Sequence, residues 1–234
     1  MSCLTAKYDD RAVWFNGSTG ELGAVPNFNG TIDRPCRRAE DAVAIATALN
    51  LTRIRVLLGD FELTEDINRL VFLGDGNSHT NVRFEGHAAN NCGFWNLNVG
   101  GDNEGTTGLS RFYNCRMRVG KFTKMECHNS GFVGTMQFVE ANAPYRWQKC
   151  YDAEWRKVSP TSPAVSFNNP TEETTFHNLD WNGRLRFTEM NANSHVNITG
   201  RGLLTIDDSC TGGTITKHGD FTVVDNSGGL VTVV

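Results

Sequence analysis

The chain has 234 residues, 39% of them hydrophobic, seven cysteines, and a formal net charge of −4 without a basic stripe. Duplex nucleic acid is therefore not an expected partner. No apolar run approaches the roughly 18 residues of a membrane span, so no membrane is expected either.

The N-terminal residues Met1 to Lys7 contain no apolar export segment, and synthesis in the cytosol is the expectation. Residues 1–34 are rich in Gly, Asn and Asp, with Tyr8, Trp14, Phe15 and Phe28 dropped in. Asn16-Gly17-Ser18-Thr19-Gly20 is a turn cluster. Around it, Ala12–Phe15 and Glu21–Val25 are expected to pair as a small hairpin. The segment has too little apolar mass for a core of its own. Its aromatics distinguish it from a frayed tail, and it reads as an extended arm that docks on a partner through Tyr8, Trp14, Phe15 and Phe28.

One helix is expected, from Pro35 to Leu49. Pro35 suits a first turn, and Glu40 and Asp41 sit at the positive end of the dipole. Ala42, Ile45, Ala46 and Leu49 form a stripe at helical spacing, and Asn50 suits a left-handed ending. A helix just before a strand array is placed to cover its open end.

From Ile54 onward the chain is a series of short strands broken by Gly and polar turns. Phe94-Trp95-Asn96-Leu97 returns 18 residues later as Phe112-Tyr113-Asn114-Cys115, and again as Phe176-His177-Asn178-Leu179. A strand-and-turn repeat near twenty residues indicates an all-β solenoid, in which one coil buries its apolar face only against the next. The expected organisation is the arm, residues 1–34, followed by a capped parallel β-helix, residues 35–234. Pro144 to Thr175, with Pro160, Pro163 and Pro170, reads as an extended loop between coils.

Several blocks carry two adjacent large apolar residues: Phe94/Trp95, Phe112/Tyr113 and Phe138/Val139. Strand neighbours face opposite sides, so one of each pair points out of the coil. A stripe of outward aromatics is expected to be buried between chains around a threefold axis, making these residues the candidate subunit interface of a homotrimer.

The cysteines have no metal-binding spacing, and neither metal nor cofactor is expected. Cys92, Cys115, Cys127 and Cys150 fit as small interior side chains. Cys3, Cys36 and Cys210 lie outside the strand blocks and are the candidates for disulfides in an oxidising medium. Acid/base cleavage of a glycosidic bond needs two carboxylates roughly 5–9.5 Å apart. Asp60, Glu62, Asp66, Asp75, Asp180, Glu189, Asp207 and Asp208 are available, yet no pair is visibly set in a cleft, and no catalytic residue is assigned.

Gly30-Thr31-Ile32-Asp33-Arg34-Pro35 followed by Ala39–Ala46, then Leu57-Leu58-Gly59-Asp60-Phe61-Glu62-Leu63, resembles the opening of β-helix proteins of tailed bacteriophages. Asp207–Ile215, with Ser209-Cys210-Thr211-Gly212, resembles their closing coils. The resemblance implies a right-handed parallel β-helix, usually trimeric, in a virion protein of the head decoration, collar, or tail spike and fibre type. The expected function is a non-enzymatic structural component located in the virion, attached to other head or neck proteins through the arm. The alternative is a tail spike or fibre that binds host surface glycan, with cleavage of that polysaccharide the less expected variant.

Overall fold

The computed structural model describes residues 8–76, 79–103, 108–118, 120–122, 125–133, 136–138, 145–152, 165–168 and 175–234. The described residues form a parallel β-solenoid of about seven turns, with one short α-helix among them. One file of stacked strands starts with Ala12–Asn16 and the first half of Arg53–Glu62. It continues through Val71–Gly74, Gly93–Trp95, Ser110–Tyr113, Met125–His128 and Tyr145–Asp152. A second file runs from the end of Arg53–Glu62 through Thr80–Arg83, Asn98–Gly100, Arg116–Met117 and Gly131–Phe132. Both continue into the long strands Thr175–Thr188, His195–Ile206 and Thr214–Asp225.

The alternation of the sequence drives this arrangement. In the first file Ile54, Phe72, Phe94, Phe112 and Cys127 pair rung by rung and are fully buried. In the second, Phe61, Val82, Val99, Met117 and Phe132 do the same. The rings of Phe72, Phe94 and Phe112 stack with centroids 5.1 and 4.9 Å apart, close to the spacing of hydrogen-bonded strands.

The corner between the files needs a left-handed residue on each rung. In the middle coils Asn96, Asn114 and Asn129 supply it, with φ of 56°, 52° and 47°. Asn is among the few non-glycine residues that take this conformation readily. In the strands His195–Ile206 and Thr214–Asp225 the positive-φ residue sits one position further along, level with Cys150 and Trp181, and is glycine. A side chain on Gly200 (φ +123°) would place its Cβ 2.0 Å from the Trp181 carbonyl oxygen, and one on Gly219 (φ +118°) 2.1 Å from that of Gly200. Turning the corner on glycine lets each strand run through both files without a break.

The N-terminal segment differs from its expected form. Ala12–Asn16 makes no hairpin; it pairs in parallel with Arg53–Leu58 and is the first rung of the solenoid. Its outer edge is covered by Gly30 and Cys36: the Asn16 N–H donates to the Cys36 carbonyl and the Cys36 N–H to the Trp14 carbonyl, both at 2.8 Å. Because Cys36 is held in that bridge, the helix begins at Ala39 rather than Pro35 and runs to Ala48. It buries Ala39, Ala42, Val43, Ile45 and Ala46 against the first coil, and Asn50 follows in the left-handed region as expected (φ 52°). Residues 8–34 are thus built into the end of the solenoid and are not a separate arm; residues 1–7 lie outside the described residues.

The stretch expected as one long loop holds regular structure. Tyr145–Asp152 is a rung, and Val165–Asn168 pairs with the strand that ends at Thr188.

Candidate functional site

The half-turn before the Asn corner puts one column of side chains on the outside of the rod. Trp95, Tyr113, His128 and Gln148 occupy equivalent positions on four successive rungs. The Trp95 and Tyr113 rings are 4.8 Å apart and within 12° of parallel, and Tyr113 and His128 are 4.8 Å apart and within 7°. His128 Nδ1 meets Gln148 Oε1 at 2.9 Å. Trp95 folds back over Gly93, where an added Cβ would sit 2.0 Å from the indole Cζ3.

The centroid spacing equals the strand spacing, so each ring rests on the ring of the next coil. Mutual stacking occupies the ring faces along the column, and the ring edges point outward. Beside the column, Glu126 accepts from Arg111 Nε at 3.0 Å and lies 3.4 Å from His128 Nε2. The corner column of asparagines closes the other side, with Asn129 Nδ2 donating to Asn114 Oδ1 at 2.8 Å. The whole forms a flat strip of half-buried aromatic edges bordered by polar groups that are largely paired among themselves.

The sequence-predicted residues divide as follows. Trp95 and Tyr113 are the outward members of their pairs. Phe94 and Phe112 are fully buried and belong to the interior stack rather than to a subunit interface, because strand neighbours alternate in and out. Phe138 ends the strand Met136–Phe138, but its side chain and Val139 lie outside the described residues.

Of the proposed docking aromatics, Tyr8, Trp14 and Phe15 are buried. Phe15 packs on Phe61 at 4.9 Å, and the Tyr8 hydroxyl donates to the Asn29 carbonyl at 2.8 Å. Tyr8 and Phe15 are core residues of the first coil, whereas Trp14 pairs with Arg55 on the outer side of the rung, where it is covered, with the Arg55 guanidinium 5.3 Å from its ring centroid. Phe28 alone is exposed, at 49%, with the Arg34 guanidinium 3.7 Å from its ring centroid. It is joined by Leu22, Val25 and Ile32, each about half exposed, in one loop at the N-terminal end.

The disulfide candidates are corrected in the same way. Cys36 and Cys210 are fully buried thiols, Cys36 on the inner side of its bridge and Cys210 beneath the turn after Ile206, donating to the Phe187 carbonyl. Neither has a path to a second chain. Burial pushes the Cys36 thiol up to about 12, with the Asp41 carboxylate adding to it, and raises that of Cys210. Cys3 lies outside the described residues. Cys115 and Cys150 are buried thiols, as expected, donating to the carbonyls of Phe94 and Cys127.

Three of the carboxylates weighed for catalysis, Asp60, Asp66 and Asp207, are tied into local structure. Asp60 accepts from Asn81 Nδ2 at 2.6 Å and pairs with Arg83 at 3.2 Å. Asp66 accepts the Ala88 N–H. Asp207 accepts from Arg186 and from the Ser209 hydroxyl and N–H. Such contacts are those of turn and rung aspartates.

Sequence reasoning missed His128, Gln148 and Glu126. The signal was present: Cys127-His128-Asn129-Ser130 has the same inward, outward, corner, inward order as Phe112-Tyr113-Asn114-Cys115. The shorter coil between them and the absence of a leading Phe hid it. Comparison with known proteins adds no further guide: no family model, curated protein or solved structure matches the chain.

Proposed function

We propose that the chain is a non-enzymatic structural protein of a bacteriophage virion, a β-solenoid that assembles as a homotrimer along its aromatic flank and docks on a neighbouring head or collar protein through its N-terminal end. The observation that carries the reading is the Trp95–Tyr113–His128 column. Its ring faces are already stacked on one another, so it offers little to a sugar ring that needs an open face. Its flat row of edges suits side-on packing against an identical rod. The sequence resemblance to phage β-helix proteins supplies the virion setting. Attachment moves from the buried Trp14 and Phe15 to the loop bearing the exposed apolar side chains Leu22, Val25, Phe28 and Ile32.

The test is the mass of the full chain in solution by sedimentation or light scattering. A trimer is expected, and Trp95→Arg with Tyr113→Arg is expected to give a folded monomer. A monomeric parent chain, or a double variant that stays trimeric, refutes the flank as the seam. A tail-tip glycan reader is the second reading. It is favoured by Trp95, a half-buried ring with which the ring column ends beside Leu73 of the preceding rung, and saturable binding of host surface polysaccharide that is lost in Trp95→Ala would establish it.

A further inference from the structure

Beyond the Asn corner, the second file carries two outward columns. One reads Asn81, Asn98, Arg116, Gly131, and the other Arg83, Gly100, with Arg118 on the next rung. The Arg118 N–H donates to the Val99 carbonyl at 2.7 Å, which fixes Arg118 beside Gly100. Gly100 has no side chain, so a depression of about 530 Å³ opens over Gly100 and Gly101. Arg83 stands on one wall and Arg116 and Arg118 on the other, with Asn81 and Glu85 also lining it. Arg83 is drawn toward the preceding rungs by Asp60 at 3.2 Å and Glu62 at 3.8 Å. Arg116 and Arg118 are exposed, and neither has an ion-pair or side-chain hydrogen-bond partner among the described residues. Two unneutralised guanidiniums therefore project from one face of one strand, in a chain whose net charge is −4.

We infer that this depression is a binding site for a carboxylate-bearing sugar of the uronic acid class. The guanidinium forks of Arg116 and Arg118 match a carboxylate. The side-chain-free floor at Gly100 and Gly101 leaves room for a pyranose ring, and the Asn81 amide, held by its Nδ2 donating to Asp60, offers its second N–H and its Oδ1 to ring hydroxyls. The space exceeds what a bare inorganic anion fills. The site lies across the corner from the aromatic flank, so it does not depend on that flank being a subunit seam.

The experiment is titration of the full chain with glucuronate, glucose and inorganic sulfate, read by calorimetry and by the amide resonances of Gly100 and Gly101. Saturable glucuronate binding is expected, with no response to glucose. Arg116→Gln with Arg118→Gln should weaken it at least tenfold without changing the thermal midpoint, and Arg111→Gln on the opposite flank should leave it unchanged. No saturation by about 50 mM, beyond any useful affinity, overturns the proposal. So does equal binding by the Arg116/Arg118 double variant. Sulfate binding as tightly as glucuronate reduces the site to an anion subsite and overturns the sugar assignment.

Discussion

Replacing Phe94 by Ala tests the in–out assignment on which the aromatic flank depends. Phe94 is fully buried between the parallel rings of Phe72 and Phe112, with Phe84 edge-on at 5.5 Å. Phe→Ala in a core costs about 3–5 kcal/mol, and the cost rises when the surroundings cannot close over the cavity. Here they cannot, because backbone hydrogen bonds hold adjacent rungs at the strand spacing, so the upper half of that range is expected. Trp95, the next residue, is half-buried on the outside. Trp95→Ala loses one ring stack and part of a buried face, about 1–2 kcal/mol. With a slope near 3 kcal/mol per M in urea, the midpoint falls by more than about 1 M for Phe94→Ala and by about 0.5 M for Trp95→Ala. Urea unfolding followed by circular dichroism, at a concentration where both variants share one oligomeric state, reads the difference. Equal losses, or a larger one for Trp95→Ala, would refute the assignment and with it the aromatic flank.

Gly93→Val places a side chain where the Trp95 indole lies. It is expected to expel that ring, shift tryptophan emission and weaken self-association while the fold survives. Gly200→Ala meets both a strained backbone and the Trp181 carbonyl oxygen, so a loss of about 2–4 kcal/mol in urea unfolding is expected; a neutral result would exclude the glycine corner. Burial raises the thiols of Cys36 and Cys115 to about 12 and that of Cys92 to about 11 from 9.0, so the folded chain keeps them protonated while the unfolded chain ionises. Stability in reducing buffer should be flat below pH 9 and fall as pH rises toward 11–12, by up to ~1.4 kcal/mol per pH unit for each such thiol; urea midpoints that do not move between pH 8 and 10.5 would contradict this. Asp207→Asn removes the charge facing Arg186 at a largely buried site, and a stability loss of about 1.5–3 kcal/mol is expected from chemical denaturation.

The parallel solenoid was legible because its cause is local and repeated. Phe94 and Phe112, Trp95 and Tyr113, and Asn96 and Asn114 recur at a fixed interval. Strand alternation alone assigns the first of each pair to one face and the second to the other. The stop at Asn50 was readable for the same reason, since a left-handed residue is a property of one position. Which face of each pair is the interior is not local, and only the stacked coils put Phe94 inside and Trp95 outside. The fates of Tyr8, Trp14, Phe15, Cys36 and Cys210 depended on partners far along the chain: Asn29 for Tyr8, Arg55 and Cys36 for Trp14, Phe61 for Phe15, Phe187 for Cys210. A sequence window sees their aromatic or thiol character but not the rung that covers them. The arginine depression is the extreme case. Arg83, Gly100 and Arg118 have no common motif, and they meet because three successive coils share one register and the middle one carries glycine.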